Sequence, residues 1–483
     1  MKEDLMEDKN KGKKKKIRSY PILVLSAFYA GIFGIMLIYI SYYSYAHRQV
    51  FMNNSYNTRQ QILVKQNLRG RILSRDGDVL AYSEVDESGK ETRVYPYGRK
   101  FAHVVGYPTH GRSGLEYAAN YYLINTSIDL QKKAELDAQD KKYPGDNCTT
   151  TLDVNLQEVA FDALSARKGA VIVSDPRTGE ILAMVSKPDF EPSTIGSEWD
   201  NLLKDKSSDA KLLNRATQGL YPPGSTFKIV TALAYIKDHS ADFNNYKFNC
   251  SGKFTYEDES ISCYHGESHG SVDFTSSFAK SCNSSFANIG LSVSRKVFSY
   301  TLDELLFGKD LPLELLYSKS SATINESSTP GDVMQLAIGQ GTTAMTPMHL
   351  NMITCAIANR GNLMKPYLIQ QVKCDDGRVI KTASPAVYRK LMSEKEAQIL
   401  TGMMEAVVTE GTGNRLKGLS YTSAGKTGSA EFNTASDSHA WFTGFAPAED
   451  PEICVTIIVE NAGSGGSFAV PIAKRIFDAY FGV

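Results

Sequence analysis

The sequence carries no net charge, because its 53 lysines and arginines balance 53 aspartates and glutamates. A nucleic-acid-binding protein usually carries a basic surplus, so this balance argues against a nucleic-acid partner. Complete pairing of the cysteines is excluded as well, since there are seven, and no two of them form a C-x-x-C motif. With 483 residues, the chain can fold in two or three domains without disulfides.

Charge is also missing from one long segment near the N-terminus. Residues 21–40 contain no side chain that is charged at neutral pH, and this length spans a hydrocarbon core of about 30 Å. Tyrosines flank the segment, and a lysine-rich stretch precedes it. These features predict a cytoplasmic basic tail at 1–20, an uncleaved membrane anchor at 21–45 and an exported remainder. The competing interpretations are a buried core helix, which is rarely apolar on every face, and a signal peptide, which is shorter.

Two cysteines bracket a polar, turn-like segment at 251–262. Strands that fold back there would bring Cys250 and Cys263 within disulfide reach, so an exported domain could hold either a disulfide or two unpaired thiols. The other cysteines are scattered, with no histidine at metal-ligand spacing, and we expect no metal site among them: Cys148, Cys282, Cys355, Cys374 and Cys454.

The composition of the sequence changes near residue 147. Residues 46–147 are polar and interrupted by glycine turns, which predicts a small mixed domain, whereas longer apolar segments in 148–483 predict a catalytic domain. Helices and strands interleave without a regular βαβ rhythm, so we expect an α+β fold with an antiparallel sheet flanked by helices. Periodicity predicts helices at 153–167, 226–237, 348–359 and 471–480, a hairpin at 170–185 and a buried strand at 454–459.

The sharpest chemical signal is a serine followed one turn later by a lysine. Ser225 comes after Pro-Pro-Gly and opens an apolar segment, so on a helix Lys228 shares its face. Such a lysine can serve as the base of a serine nucleophile if burial or a neighbouring charge lowers its pKa. By itself the motif is weak, because a serine N-cap with a lysine one turn on is common.

Two further motifs follow in order along the chain. Residues 281–283 read Ser-Cys-Asn, and residues 426–429 read Lys-Thr-Gly-Ser. The ordered trio resembles the S-x-x-K, S-D-N and K-T-G motifs of penicillin-binding proteins and class A β-lactamases, with Cys282 in the place of aspartate. Three motifs in the right order are far more specific than any one of them.

The resemblance covers nearly the whole chain, and the order of motifs is similar to that of the class B penicillin-binding proteins. Residues 69–77 and 114–116 resemble the start and end of that family's N-terminal pedestal, and 214–216, 339–347 and 441–445 resemble landmarks of its transpeptidase domain. The resemblance implies a serine β-lactamase-like transpeptidase fold with a small, dimerisation-like pedestal, one transmembrane helix and no C-terminal extension.

The resemblance also implies catalytic roles for matching residues. Ser225 would attack the carbonyl between the two terminal D-alanines of a stem peptide, with Lys228 as general base. Ser281 and Lys426 would relay a proton to the leaving D-alanine. No metal or organic cofactor is expected.

Substrate-binding roles follow in the same way. Asn283 would hold the substrate amide, and the Thr427, Gly428 and Ser429 segment would bind the terminal carboxylate or that of a β-lactam. Backbone N–H groups of Ser225 and Ser429 would form the oxyanion hole.

Membership of this family would imply a peptidoglycan D,D-transpeptidase in division, elongation or sporulation. Its partners would be stem peptides on a lipid-linked precursor glycan, inhibitory β-lactams, and a multi-spanning glycosyltransferase of the shape, elongation, division and sporulation (SEDS) type. A D,D-carboxypeptidase stays open, because water and an amine compete for the same acyl-enzyme.

Other functions fit less well. A class A β-lactamase would be smaller and would need a glutamate base, which no pattern identifies. A β-lactam receptor would carry a cytoplasmic signalling region, and only about twenty residues precede the predicted anchor. An inert scaffold would have lost a catalytic residue, and none is missing. A bifunctional enzyme would need a glycosyltransferase domain, for which residues 46–147 are too few.

Overall fold

The computed structural model describes residues 20–46, 58–204, 209–430 and 438–483, and the chain divides into two compact units, Met1–Thr58 and Arg59–Val483. In the first unit, helix α1 (Tyr20–Ala46) exposes nearly all of its apolar side chains. It is long and apolar enough to cross a membrane. The basic tail predicted before it lies outside the described residues, apart from Tyr20.

Helices and strands are interspersed along the rest of the chain. The helices are α2 (Thr58–Gln66), α3 (Ala102–Val105), α4 (Gly114–Ala118), α5 (Asn120–Ile124), α6 (Leu130–Asp137), α7 (Val154–Leu164), α8 (Ile195–Lys204), α9 (Lys228–Asp238), α10 (Phe274–Ala279), α11 (Asn283–Ser292), α12 (Arg295–Glu304), α13 (Pro330–Ala337), α14 (Pro347–Ala358), α15 (Glu394–Thr409) and α16 (Gly465–Phe481). The strands are β1 (Asn67–Leu68), β2 (Ile72–Leu73), β3 (Val79–Val85), β4 (Glu91–Val94), β5 (Tyr143–Pro144), β6 (Asn147–Thr150), β7 (Gly169–Ser174), β8 (Ile181–Lys187), β9 (Lys247–Cys250), β10 (Lys253–Tyr256), β11 (Glu259–Ser262), β12 (Gly270–Asp273), β13 (Asn362–Met364), β14 (Ile369–Lys373), β15 (Val379–Thr382), β16 (Val387–Lys390), β17 (Ala424–Ala430), β18 (His439–Ala446) and β19 (Ile453–Val459).

A five-stranded antiparallel sheet organises the larger unit. Its strand order is β17-β18-β19-β7-β8, so β17 is an edge strand. Alternate side chains of β7 enter two different cores: Val171 and Val173 pack with α7 and α16, whereas Ala170 and Ile172 face the core that contains α9 and α14. Burial on both faces explains why these strands read as continuous aliphatic runs.

A second sheet joins the N-terminal part of this unit to a later segment. Its order is β15-β14-β6-β2-β3-β4, so residues 369–382 extend a sheet that begins with residues 72–94. The predicted domain boundary between 147 and 148 falls within β6 and stays a prediction.

The structure confirms most of the predicted elements. The hairpin is β7 and β8, the buried strand is β19, and the helices predicted at 153–167 and 348–359 are α7 and α14. Asp153 caps α7 by accepting a hydrogen bond from the Leu156 N–H at 2.9 Å. Two predicted helix starts are wrong. A 3-10 turn, Gly224–Phe227, precedes α9, and α16 begins at Gly465, six residues before Pro471.

Candidate active site

Ser225 lies in the 3-10 turn Gly224–Phe227, which we call the serine turn, directly before α9. A 3-10 turn places residues three apart on the same side, so Lys228 still follows on the face of Ser225. The Ser225 side chain is partly exposed, and its hydroxyl makes no hydrogen bond with any described residue. The predicted contact between Ser225 Oγ and Lys228 or Ser281 within 4 Å stays a prediction.

Two buried lysines converge on Ser281. Lys228 Nζ donates to the Ser281 carbonyl at 2.6 Å and to Asn283 Oδ1 at 2.7 Å, and it lies 3.4 Å from Ser281 Oγ. Lys426 Nζ donates to the same Ser281 Oγ at 2.9 Å. Folding therefore joins residues from all three motifs, although they are separated by up to two hundred positions in sequence.

Burial sets the protonation of both lysines. Each side chain is 0% exposed, and removal from water lowers the pKa of Lys228 to about 7. The pKa of Lys426 is also well below its usual value, first because of burial and second because of the nearby Lys228 charge. A neutral lysine has two N–H groups and one lone pair. If Lys228 donates both N–H groups to Ser281 O and Asn283 Oδ1, its lone pair is left to accept a proton.

Two glycines allow the serine turn to approach the edge strand β17. Gly224 has φ of +53°, and a Cβ there would lie 2.9 Å from Ser429 O and from the Ala430 Cβ. A Cβ on Gly428 would lie 3.0 Å from Thr226 Cγ2. Backbone of the Lys-Thr-Gly segment can thus lie against the turn that carries Ser225 only because these side chains are absent.

The serine turn is also held from its N-terminal side. Trp441 Nε1 donates to the Pro222 carbonyl at 3.1 Å, which ties the turn to β18. Arg215 and the Tyr221 hydroxyl both reach Glu460 Oε1, at 2.7 Å each, and Arg215 is almost fully buried. The segments 214–216 and 441–445, which the sequence predicted as landmarks of the family's transpeptidase domain, therefore contribute side chains that hold the serine turn in place.

A cavity of 430 Å³ opens beside these groups. Every predicted site residue except the two buried lysines lines it: Ser225, Ser281, Asn283, Thr427, Gly428 and Ser429. Sequence reasoning missed several other lining residues, among them Lys280, Thr412 and Arg415. The Thr412 hydroxyl is hydrogen-bonded to that of Thr427. No motif flagged these residues, although Lys280 directly precedes the Ser-Cys-Asn motif, and folding brings Thr412 and Arg415 to the cavity.

The cysteines gather more closely than the sequence indicated. Of the two alternatives left open for Cys250 and Cys263, the structure has the unpaired thiols, because their sulfurs are 3.6 Å apart and a disulfide bond measures about 2.0 Å. Cys282, expected to be isolated, lies with its sulfur 3.8 Å from that of Cys263. His269 Nδ1 is 3.5 Å from Cys250 Sγ. Contrary to the sequence prediction, these four side chains form a group that could hold a metal ion.

Comparison with known proteins identifies the fold and the family. Residues 169–478 match the family described as the penicillin binding protein transpeptidase domain, and residues 69–145 match the penicillin binding protein A dimerisation domain. The chain belongs to the class B penicillin-binding protein transpeptidases. The fold is the α+β penicillin-binding transpeptidase fold that the sequence predicted.

Individual relatives are similar over most of their length. The chain is 31% identical to the peptidoglycan D,D-transpeptidase PbpA of Mycolicibacterium smegmatis, over 87% of this chain and 91% of the relative. The D,D-transpeptidase domain of a peptidoglycan glycosyltransferase from Eggerthella lenta superposes with a TM-score of 0.78 at 30% identity, covering 86% of this chain and 99% of that one. Penicillin-binding protein A of M. tuberculosis, solved as a ceftriaxone acyl-enzyme complex, gives 0.78 at 27% identity, with coverage of 86% and 99%.

Proposed function

We propose that this chain is a peptidoglycan D,D-transpeptidase that cross-links stem peptides through an acyl-enzyme on Ser225. The observation that carries the proposal is the convergence of Lys228 and Lys426 on Ser281, beside a cavity that Ser225 also lines. Such a set supplies a nucleophile, a neutral base and a proton relay in one place. The names of the relatives and the family match agree with this reaction.

Acylation begins when Lys228 takes the proton of the Ser225 hydroxyl. The Ser225 Oγ then attacks the carbonyl between the two terminal D-alanines, and negative charge develops on the carbonyl oxygen. Backbone N–H groups of Ser225 and Ser429 would stabilise this charge, since the serine turn and the edge strand β17 approach each other there.

The acyl-enzyme forms when the C–N bond to the terminal D-alanine breaks. The leaving nitrogen needs a proton, and Ser281 can deliver its own while the proton that Lys228 took from Ser225 replaces it across 3.4 Å, with Lys426, hydrogen-bonded to the same Ser281 Oγ at 2.9 Å, as the other member of the relay. An amine of a second stem peptide then attacks the ester, so the cross-linking amide bond forms, the ester C–O bond breaks, and the proton that the amine loses passes to Ser225 Oγ.

Substrate binding uses the groups along the cavity. The Asn283 Oδ1 accepts from Lys228 and its Nδ2 donates one hydrogen to the Ser262 carbonyl, so one amide hydrogen remains for a substrate carbonyl. The Thr427 and Ser429 hydroxyls can bind the terminal carboxylate, with Arg415 lining the same cavity. A β-lactam would present its carboxylate to the same groups and acylate Ser225.

The N-terminal apolar helix and the family match support a proposal for the cellular setting. Helix α1 would anchor the protein with the basic tail in the cytoplasm and the unit Arg59–Val483 outside. A transpeptidase without glycosyltransferase activity needs a polymerase that supplies glycan, for which we propose a multi-spanning SEDS-type glycosyltransferase acting on lipid-linked precursor.

Fluorescent penicillin tests the nucleophile. We expect covalent labelling of the purified full-length protein and of the control Ser327→Ala, which alters an exposed serine outside the cavity. Ser225→Ala should abolish labelling without loss of fold, because the Ser225 hydroxyl bonds to no described residue. Labelling that persists in folded Ser225→Ala would contradict the proposal.

Product analysis separates transfer from hydrolysis. With a pentapeptide donor and an amine acceptor, a transpeptidase releases D-alanine and forms a cross-linked dimer, whereas a carboxypeptidase releases D-alanine and leaves a tetrapeptide. We expect the dimer to dominate in mass spectra. Tetrapeptide alone, at saturating acceptor, would instead support the carboxypeptidase.

A further inference from the structure

A single carboxylate oxygen ties the chain before the serine turn to the end of the five-stranded sheet. Glu460 directly follows β19, and its Oε1 accepts from the Tyr221 hydroxyl and from Arg215 Nε, at 2.7 Å each. The Glu460 N–H also donates to the Lys168 carbonyl at 2.8 Å, directly before β7. Hydrogen bonds to an ionised acceptor are about twice as strong as neutral ones. The position of Tyr221 is therefore coupled to the sheet through one atom.

Arg215 holds the same oxygen in place from the other side. Its side chain is 2% exposed, and its remaining guanidinium nitrogens donate to the Ala210 carbonyl at 3.2 Å and the Asp209 carbonyl at 2.7 Å. Its backbone N–H donates to Ser186 Oγ, on β8, at 2.9 Å. Because Arg215 is itself fixed in several directions, Glu460 is a rigid reference point for Tyr221.

Tyr221 is buried and acts as a hydrogen-bond donor. It is 8% exposed, and burial together with the Glu460 charge raises the pKa of its hydroxyl, which stays protonated at neutral pH. A Cβ on Gly219 would lie 2.7 Å from Tyr221 Oη, so the ring folds back over the chain there. The ring also meets His439 and Trp441 edge to face. These ring contacts do not depend on the hydroxyl.

Two prolines connect Tyr221 to the serine turn. The φ angles of Pro222 and Pro223 are fixed by their rings, so few soft dihedral angles separate Tyr221 from Ser225. Gly224, the remaining residue between them, is packed against β17. A shift of Tyr221 would therefore be passed on to the nucleophile, and a displacement of about 1 Å can cost about a hundredfold in rate.

The connection that begins with Glu460 also reaches β17. Residues 460–467 join β19 to α16, and the later ones line the catalytic cavity. A Cβ on Gly465 would lie 2.6 Å from Gly428 O, so α16 begins directly against β17. This one connection thus contacts the chain before the serine turn at one end and β17 at the other.

We propose that Glu460 is a positioning residue for acylation, because its hydrogen bond with Tyr221 sets the place of the serine turn beside β17. The inference rests on the proposed function, since it concerns formation of the acyl-enzyme on Ser225. Glu460 is not among the residues that line the cavity, so it acts through Tyr221. Loss of the contact should slow bond formation and leave the binding of penicillin unchanged.

Tyr221→Phe removes the contact and keeps the pair between Glu460 and Arg215. Rapid-quench labelling of the purified full-length protein, over a range of fluorescent penicillin concentrations, gives the acylation rate at saturation and the half-saturating concentration. We expect the saturating rate to fall at least about tenfold, because the nucleophile is misplaced. The half-saturating concentration should stay within about twofold, because the binding groups are unchanged.

Tyr367→Phe is the matched control. The Tyr367 hydroxyl donates to Glu180 Oε1 at 3.0 Å, and Glu180 pairs with Arg75, so it is a second tyrosine–glutamate–arginine arrangement outside the cavity. This variant should keep both kinetic values. A purely structural loss would lower the fraction of protein that is labelled, not the rate of the labelled molecules, and thermal unfolding compares the stability of the two variants.

Glu460→Gln tests the acceptor. The amide oxygen can still accept from Tyr221, but the charge is lost, so we expect a saturating rate between those of the wild-type protein and Tyr221→Phe. Tyr221→Phe should cost less in the Glu460→Gln background than in the wild-type protein, because both changes weaken the same hydrogen bond. Fully additive losses would contradict the coupling.

The outcomes separate this inference from the proposed function. If Ser225 of the wild-type protein is labelled and folded Tyr221→Phe keeps the wild-type saturating rate, the positioning role is overturned and the proposed function stands. An increase in the half-saturating concentration alone would also overturn it. If Ser225 of the wild-type protein is not labelled at all, the proposed function fails, and the positioning role fails with it.

Discussion

Lys228 illustrates how the site works at the scale of one residue. In water its ammonium group would stay protonated and useless as a base, but complete burial lowers its pKa to about 7. Its contacts are acceptors, the Ser281 carbonyl and Asn283 Oδ1, which fix the direction of its N–H groups. The same residue therefore gains both its protonation state and its direction from the fold.

The rate of acylation should depend on the charge of Lys228. Below its pKa the lysine is protonated and cannot accept the Ser225 proton, so the second-order rate of penicillin acylation should rise between about pH 6 and pH 8 and level off above. Lys228→Ala should lower the plateau at least about a hundredfold and remove this rise. Rates measured by rapid-quench labelling across this range check both expectations.

A flat profile in the wild-type protein would mean that another group accepts the proton. Lys133→Ala, which alters a lysine on helix α6 outside the cavity, is the matched control and should keep both the plateau and the rise.

At the scale of elements, the site depends on how closely the serine turn and β17 approach each other. Gly224 combines a positive φ with contacts to Ser429 and Ala430 that leave no room for a side chain. Any separation of the two elements would move the Ser429 N–H away from the carbonyl oxygen that the proposed oxyanion hole stabilises. The serine turn and β17 can therefore lie this close because Gly224 has no side chain.

Gly224→Ala should lose acylation by about a hundredfold or more, a loss comparable to removing one oxyanion donor. The added Cβ would collide with Ser429 O and Ala430 Cβ at 2.9 Å and would strain the backbone at φ of +53°. Penicillin labelling rates and thermal unfolding measure the two effects.

Gly402→Ala is the matched control, since Gly402 lies within helix α15 and a Cβ there would meet nothing within 4 Å. It should leave acylation unchanged and stabilise the protein by up to about 1 kcal/mol. Equal acylation rates for Gly224→Ala and Gly402→Ala would show that the close approach is unimportant.

The sequence predicted whether most segments form a helix or a strand more accurately than it predicted their first and last residues. Aliphatic runs located β7, β8 and β19, because burial on both faces demands apolar residues at every position. The start of α16 was missed, since Pro471 reads as a first helical residue. In the structure it lies inside the helix, where packing of the buried Ala469 and Val470 outweighs the lost hydrogen bond.

At the scale of the whole molecule, one buried ion network joins distant parts of the N-terminal region. Glu116 in α4 accepts from Arg69 at 2.5 Å and from Arg93 at 2.8 Å, and its side chain is fully buried. Burial alone would raise the pKa of this carboxyl, but the two guanidinium groups hold it below its usual value. The segments predicted as the start and end of the pedestal thus meet in one network.

Glu116→Ala should reduce the free energy of unfolding by about 3–5 kcal/mol, because two buried cations lose their partner. Urea unfolding of the purified protein measures this loss. The control Glu135→Ala removes an exposed pair with Lys132 and should cost less than about 1 kcal/mol. A loss at Glu116 no greater than at Glu135 would mean that the network contributes little.

The orientation of the chain in the membrane is the last prediction. Because the lysine-rich tail should stay in the cytoplasm, protease added to intact spheroplasts should remove the unit Arg59–Val483, while a cytoplasmic marker protein survives. Immunoblotting for the catalytic region measures the cleavage. Full protection of this region would contradict either the anchor or its direction.

The sequence by itself predicted the long apolar helix, the strands β7, β8 and β19 and the eight candidate site residues, because local patterns of apolarity and three ordered motifs lie in consecutive positions. Tertiary structure alone decided the rest. It buried Lys228 and Lys426 around Ser281, brought Gly224 against Ser429, and gathered Cys250, Cys263, His269 and Cys282. The physical reason is that pKa, close backbone approach and the grouping of side chains depend on distances between residues far apart in the chain, which no local pattern encodes.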